Sequence, residues 1–288
     1  MTSDGLLLVD KPAGPTSHDV VAAARRALGE RRVGHAGTLD PAATGLLIVL
    51  AGRATRLARF VALLPKRYRG TVRFGCETST DDAAGEPGER DESWRGRSDA
   101  EIAAALRAVA ARPTQVPPRV SAKKVAGERA YRRARRGEDV ELAAVPVRIR
   151  VSACGPLDRV TGEMVVDVEC GSGTYVRAIA RDVGRELGSR AHLAALRRLS
   201  IGPWRVEDAV PPAALAQGAP ALLPLADAVA HLPALEVGAD HARAIAHGRK
   251  IEEPRRLDGP VAVFGDGRLL AVAEWQEGRY VPLVVLAP

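Results

Sequence analysis

Aromatic side chains are scarce. Three Phe, three Trp and four Tyr make up 3% of the 288 residues, so any Tyr in a polar setting stands out. Cysteine is scarcer still. Cys76, Cys154 and Cys170 form no CxxC pair, and their odd number argues against a disulfide framework. No His or Cys cluster has the spacing of zinc ligands. No apolar run approaches the roughly 20 residues of a bilayer-spanning helix. Met1 to Gly5 lacks the basic region and apolar core of a signal peptide. The expectation is a cytosolic protein with no membrane partner. Lysine is rare too, with five Lys against 37 Arg, a preference that coding bias explains. Coding bias does not explain the excess of base over acid, a net charge of +7. That excess favours a polyanionic partner, and without a membrane signal nucleic acid leads. There is no internal repeat and no extended low-complexity segment.

One run concentrates unusual residues: Gly34-His35-Ala36-Gly37-Thr38-Leu39-Asp40-Pro41-Ala42-Ala43-Thr44-Gly45-Leu46. Its glycines permit backbone conformations and close approaches that a Cβ forbids. Pro41 fixes the chain after the acid and pushes Asp40 out of the helical region. An Asp-Pro pair alone reads as a turn or a helix cap. In this loop it also reads as one carboxylate held in one place, suited to covalent or general-base chemistry on an organic substrate.

Around this run the chain alternates strands and helices. Gly5 to Val9, Leu46 to Ala51, Arg67 to Phe74, Val147 to Ala153 and Met164 to Cys170 read as strands. Helices are expected from a Ser17 cap to Leu28, over Ala54 to Leu64, from a Ser98 cap to about Arg112, and from Thr174 to Leu187. Cys76 to Arg97 reads as a long polar loop. The order lacks a strict βαβ rhythm, which favours an α+β domain. The Pro-rich stretch from Pro224 to Pro233 marks a boundary near residue 230. Beyond it lie a short helix, Asp240 to Ala246, and strands near Val261, Leu269 and Tyr280.

The Gly-His-x-Gly-Thr-Leu-Asp-Pro run followed by Gly45-Leu46 closely resembles the catalytic-aspartate motif of the TruB-type tRNA pseudouridine synthases. The resemblance covers nearly the whole chain. Leu8-Val9-Asp10-Lys11-Pro12 and Thr16-Ser17 are similar to the first motif, which braces the catalytic loop; from the residues alone Lys11 also reads as a solvated charge. Lys66-Arg67-Tyr68-Arg69 resembles the motif that supplies an active-site tyrosine. Thr78 to Gly85 resembles a second acidic motif, with Asp82 at the functional position and Ser79 where Asp is common. Asp81 keeps the alternative reading of a solvated loop acid. Gly173-Thr174-Tyr175-Val176-Arg177 resembles the motif whose arginine pairs with the catalytic aspartate. Ala191-His192-Leu193 and Leu196-Arg197-Arg198-Leu199 resemble the last core motif.

Between Arg119 and Arg136 there are eight basic residues and one acidic residue, Glu128. That density can neutralise several phosphates. The resemblance implies a basic insertion over 119–142 that clamps RNA, with Lys123, Lys124 and Arg132 on the RNA backbone and Arg135 near the active site.

The resemblance further implies a mixed, largely antiparallel central sheet flanked by helices over 1–230, and a PUA-like β-barrel over 231–288. The implied reaction is isomerisation of uridine 55 in the T-loop of tRNA, without cofactor or metal. Asp40, Tyr68, Arg177, Asp82 and Arg135 would form the catalytic set. His35, Tyr68, Tyr175 and Leu196 would contact the base. Burial would raise the pKa of Asp40 and an Arg177 partner would lower it, so the two make physical sense together. Three roles for Asp40 stay open: attack at C1′, attack at C6, or removal of the C2′ proton. The enzyme is expected to act alone, as a monomer, on the tRNA T-arm. A guide-RNA-dependent relative and a tRNA-folding chaperone are the competing readings.

Overall fold

The computed structural model describes residues 4–120, 142–218 and 220–287, with the backbone of 124–125 and 128–129. Its main element is an eight-stranded mixed sheet. Strands β1 (Gly5–Lys11), β2 (Val33–His35), β3 (Thr44–Ala51), β4 (Lys66–Phe74), β5 (Ile149–Ala153), β6 (Glu163–Cys170), β7 (Ala191–Ile201) and β8 (Trp204–Arg205) make it up. The spatial order is β1-β3-β7-β4-β6-β5, with β2 on β3 and β8 on β7. Every pairing is antiparallel except β3 with β7.

The two halves of the sheet differ. In β1 and β3 both faces are buried, so the sequence is a continuous apolar run. Leu6, Leu8, Leu46, Ile48 and Leu50 enter one core; Leu7, Val9, Leu47, Val49 and Ala51 enter another. Helix α1 (Ser17–Leu28) covers the second core with Val20, Val21 and Ala24. The first is covered by the 3-10 turn Gly52–Leu57 and helix α2 (Ala58–Leu63). In β4 and β6 only one face is buried, under α3 (Asp99–Ala110) and α4 (Val176–Glu186). The other face carries cross-strand ion pairs, Arg69 with Asp167 and Arg73 with Glu163. The alternation of Arg67 to Phe74 follows from this one-sided burial.

The halves meet at a narrow waist. β7 pairs with β4 over nearly its whole length but with β3 only at Thr44↔Arg197 and Gly45↔Arg198. Gly45 sits at φ +101, and a Cβ there would lie 2.2 Å from the Arg198 carbonyl oxygen. Glycine is the one residue that lets the strands approach so closely.

A second sheet follows, built from β9 (Ala234–Glu236), β10 (Ile251–Glu252), β11 (Pro260–Gly265), β12 (Arg268–Gln276) and β13 (Arg279–Val285) in the order β9-β11-β12-β13-β10. It curls into a half-barrel that fits the PUA-like expectation. Helix α5 (Ala239–Ala246) packs on it. Ala262 and Val272 from this sheet, and Leu286 just after its last strand, join the core around Leu46 and Phe60. Arg53 Nη1 donates to Leu286 O at 2.6 Å, and Arg56 Nη1 donates to Val285 O at 2.7 Å.

Four local expectations are corrected. Thr16, not Ser17, caps α1, through a capping box with Asp19. The stretch from Ala54 is a 3-10 turn before it becomes α2. The long loop from Cys76 holds a small hairpin, Cys76–Thr78 against Pro87–Arg90, and a 3-10 turn at Ser93–Gly96. Helix α4 begins at Val176 rather than Thr174.

Candidate active site

The Asp40 loop spans the gap between β2 and β3, and buried polar groups hold it on every side. Ser17 lies at the first turn of α1 and is 1% exposed. Its Oγ accepts from Leu39 N at 2.9 Å and donates to Leu39 O at 3.0 Å. Both backbone groups of the residue before Asp40 are thereby satisfied. Lys11 is fully buried, not solvated. Its Nζ donates to Pro12 O and Pro15 O at 2.8 Å and to Pro41 O at 3.1 Å. The ammonium stitches the first motif to the residue after Asp40. Burial lowers the Lys11 pKa, while the nearby Asp40 carboxylate raises it. Arg198 supports the loop from beneath. Its Nε donates to Leu46 O at 2.6 Å, Nη2 to Gly37 O at 3.0 Å and Nη1 to Thr38 O at 3.4 Å.

Asp40 itself stays reachable, with its side chain 46% exposed. Its partner is Arg177, which lies in the first turn of α4 and is buried. Arg177 Nε is 3.1 Å from Asp40 Oδ2, and Nη1 is 3.4 Å from Asp82 Oδ2. The guanidinium also donates to Thr80 O at 2.9 Å and Val120 O at 3.2 Å. A buried arginine thus bridges two carboxylates, and it also donates to two backbone carbonyls. Asp82 is fixed in turn by Thr80 Oγ1 at 2.6 Å and Ala84 N at 3.0 Å.

Helix α4 carries arginines at i, i+4 and i+8, one stripe of the helix. Arg177 meets Asp82, Arg181 meets Asp81 at 2.7 Å, and Arg185 meets Glu77 at 2.7 Å in a bidentate pair. The ladder straps the 77–82 segment to the helix. Asp81 is therefore buried and paired rather than a solvated loop acid. Desolvation pushes its carboxyl up against the opposing pull of Arg181. At the head of α4, the buried side chain of Gln115 accepts from Tyr175 N at 2.9 Å and donates to Tyr175 O at 3.2 Å.

Tyr68 lies on β4 directly opposite Arg198 on β7, which lies opposite Gly45 on β3. Three adjacent strands thus bring the phenol into line with the start of β3. Burial raises the Tyr68 pKa, and the Arg198 charge opposes that rise. Tyr68 and Leu196 are half-buried at the edge of the core beneath α3 and α4. Leu196 pairs with Gly70, two positions along the same strand as Tyr68. His35 ends β2, with its ring edge-on to His18 at 5.5 Å between centroids. Its Nδ1 is buried without a hydrogen-bond partner among the described residues. Burial lowers its pKa, as do the nearby His18 and Arg198.

The structure therefore brings together Asp40, Arg177 and Asp82, with Tyr68 and Leu196 on adjoining strands and Tyr175 clamped two residues before Arg177. Lys123, Arg132 and Arg135 lie outside the described residues, and Lys124 is described only in its backbone. Sequence reasoning missed Arg181 and Gln115; Ser17 and Arg198 stood within family motifs, Ser17 in the one that braces the loop and Arg198 without a role of its own. The 177/181/185 spacing was a readable signal for Arg181. Gln115 carried none, because its partner Tyr175 lies 60 positions away in sequence.

Comparison with known proteins gives the family. Residues 25–176 match the family described as TruB family pseudouridylate synthase (N terminal domain). Residues 232–287 match tRNA Pseudouridine synthase II, C terminal. A tRNA pseudouridine synthase B from Thermobifida fusca (strain YX) is 50% identical over 293 residues, covering 99% of each chain. The protein of that name from Streptomyces griseus is 44% identical, covering 99% of this chain and 98% of its own. Among solved structures, an H/ACA ribonucleoprotein bound to a substrate RNA containing 2′-deoxyuridine superposes with a TM-score of 0.72 at 22% identity. That match covers all of this chain and 86% of the other, and it shows the shared fold. No helix among the described residues is long and apolar enough to cross a membrane. With a family model over half of its length and relatives near 50% identity end to end, the chain belongs to the TruB family of pseudouridylate synthases.

Proposed function

We propose that this chain converts the T-loop uridine at position 55 of tRNA to pseudouridine, with Asp40 as the carboxylate that acts on a flipped-out nucleotide. The observation that carries the reading is the Asp40–Arg177 pair at 3.1 Å, with the aspartate open and the arginine buried. A carboxylate meant only for structure gains nothing from that exposure. One meant for chemistry needs access for substrate and a fixed counter-charge.

The reaction is an internal exchange. The N1–C1′ bond breaks, the uracil turns, and a C5–C1′ bond forms. The C5 proton is lost and N1 gains one, so oxidation state is conserved. A base within a folded T-arm must first leave its stack, at about a few kcal/mol. His35 is assigned to brace the gap left behind. Tyr68, Tyr175 and Leu196 are assigned to the slot that receives the uracil, with the phenolic oxygen of Tyr68 placed to help remove the C5 proton. Asp82 and Arg135 are assigned to act with Arg177 on the charge of the reacting centre. Lys123, Lys124 and Arg132 take RNA phosphates. We assign catalysis to 1–230, including the RNA-clamping insertion 119–142, and further RNA contact to 231–288.

Tritium release from unmodified tRNA labelled at uridine C5 tests the reading, with native protein and with Asp40→Asn. Release by the native protein alone, confined to the T-loop, supports it. Release by both proteins removes Asp40 from the chemistry. Tight tRNA binding without release by either assigns the protein to chaperone or partner-dependent action.

A further inference from the structure

Arg198 is buried more completely than its chemistry invites. It is 1% exposed and is among the largest fully buried side chains of the protein. Guanidinium is always charged, and a charge taken from water needs compensation. Among the described residues no carboxylate lies within ion-pair distance of Arg198. Its guanidinium donates instead to three backbone carbonyls, Gly37 O, Thr38 O and Leu46 O, and these flank Asp40 on both sides. The backbone of Arg198 meets Gly45 at the waist of the sheet. Its cross-strand neighbour on the other side is Tyr68. One residue therefore touches the loop before Asp40, the strand after it, and the strand bearing the phenol.

We propose that Arg198 is a positioning residue for the isomerisation: its guanidinium fork locks the Asp40 loop and Tyr68 into one rigid frame. The inference rests on the reading above that Asp40 and Tyr68 do the chemistry. Planarity is what suits arginine to the task. Its donors leave in fixed directions, so three carbonyls held at once fix the loop in translation and rotation. An ammonium is a point charge on a flexible stem and fixes no such orientation. Carbonyl partners also leave the positive charge unneutralised beside Tyr68. That charge favours the phenolate as the hydroxyl takes part in proton transfer.

Arg198→Lys and Arg198→Met test the proposal, each assayed in single turnover on T-loop substrate at temperatures where circular dichroism reports the native fold. Lysine keeps the charge and loses the fork. The expected result for Arg198→Lys is a single-turnover rate about 100-fold lower, the scale of a misplaced reacting group, with tRNA Kd near native. Arg198→Met is expected to fall further and to shift to higher pH the limb of the pH–rate profile on which the rate rises as the phenol ionises. Combined with Tyr68→Phe, Arg198→Lys is expected to lose less than the product of the single losses, because both act through one frame.

A native single-turnover rate in Arg198→Lys overturns the inference. So does a rate loss that tracks the folded fraction alone, or failure of both variants to fold at any temperature. The last two results would assign Arg198 to fold stability. Asp40→Asn is run in parallel. If it stays active, the proposed function fails; if it is dead while Arg198→Lys is native, only the role of Arg198 fails.

Discussion

Replacing Gly45 by alanine tests how tightly the waist of the sheet controls the chemistry. A Cβ at this position would lie 2.2 Å from Arg198 O and 2.7 Å from Arg198 N. Real contacts respect a floor near 3.0 Å, so β3 and β7 must part by about 0.8 Å. Overpacking of that kind costs about 1–3 kcal/mol. Holding alanine at φ +101 adds about 1–3 kcal/mol of backbone strain. The total, roughly 2–6 kcal/mol, is a large share of a typical stability of about 5–15 kcal/mol. The kinetic effect follows from the geometry. Asp40 stands five residues before Gly45, and a misplacement near 1 Å lowers rates by about 100-fold. We expect Gly45→Ala to unfold at lower urea and, where folded, to show a single-turnover rate about 100-fold down with tRNA affinity little changed. The control is Gly29→Ala. Gly29 ends α1 at φ +59, and nothing lies within 4 Å of where the added methyl would stand. It should cost about 1–2 kcal/mol and leave the rate alone. A native rate in folded Gly45→Ala, or an equal loss in Gly29→Ala, would refute the reasoning.

Three further outcomes are expected. Ser17→Ala strips Leu39 N and O of their buried partner, so it should destabilise by about 1–3 kcal/mol per orphaned group and slow the reaction; urea midpoints indistinguishable from native would contradict this. Lys66 is buried, its Nζ donating to Ala62 O in α2 and to Leu64 O just after it, and desolvation lowers its pKa to about 8. Between about pH 8 and its ordinary 10.5 the unfolded chain therefore holds more protons at this site than the folded one. Native stability relative to Lys66→Met should rise across that window and be flat below it; a difference independent of pH would show that the group keeps its ordinary affinity. Removing Lys123, Lys124 and Arg132 together should reduce the slope of log tRNA affinity against log salt by about 2–3, and an unchanged slope would take those residues off the phosphates.

Much of the β1–β3 half of the sheet was legible because local chemistry decides it. Continuous apolar runs at Leu6 to Val9 and Leu46 to Ala51 need burial on both faces, and that burial is present. The Asp40–Arg177 meeting came only through the family resemblance, since 137 positions separate the two residues and no spacing rule spans them. Strand β7 went unread for a different reason. Register shifts between Leu193 and Ala195 and between Arg198 and Ser200 break its period-two pattern. That irregularity hid what Arg198 touches, although the residue stood inside the last family motif. Asp81 was obscured by its own backbone. At φ +61 it reads as a turn residue, while its burial depends on Arg181, supplied 100 positions later.

The order in which these parts can fold as the chain leaves the ribosome follows from the two-sided burial of β1 and β3. The half beneath α3 and α4 draws its buried residues from the contiguous stretch 72–193. The Asp40 half does not. Leu6 is bridged by Leu223 and Val9 by Val210, and its core closes only with Ala262, Val272 and Leu286. Residues made first therefore wait for residues made last. A nascent chain is expected to gain protease resistance in its middle before its beginning, and to become competent for chemistry only once its final strands have emerged. Pulse proteolysis of stalled chains of increasing length would read that sequence directly, and early protection of the Asp40 segment would contradict it.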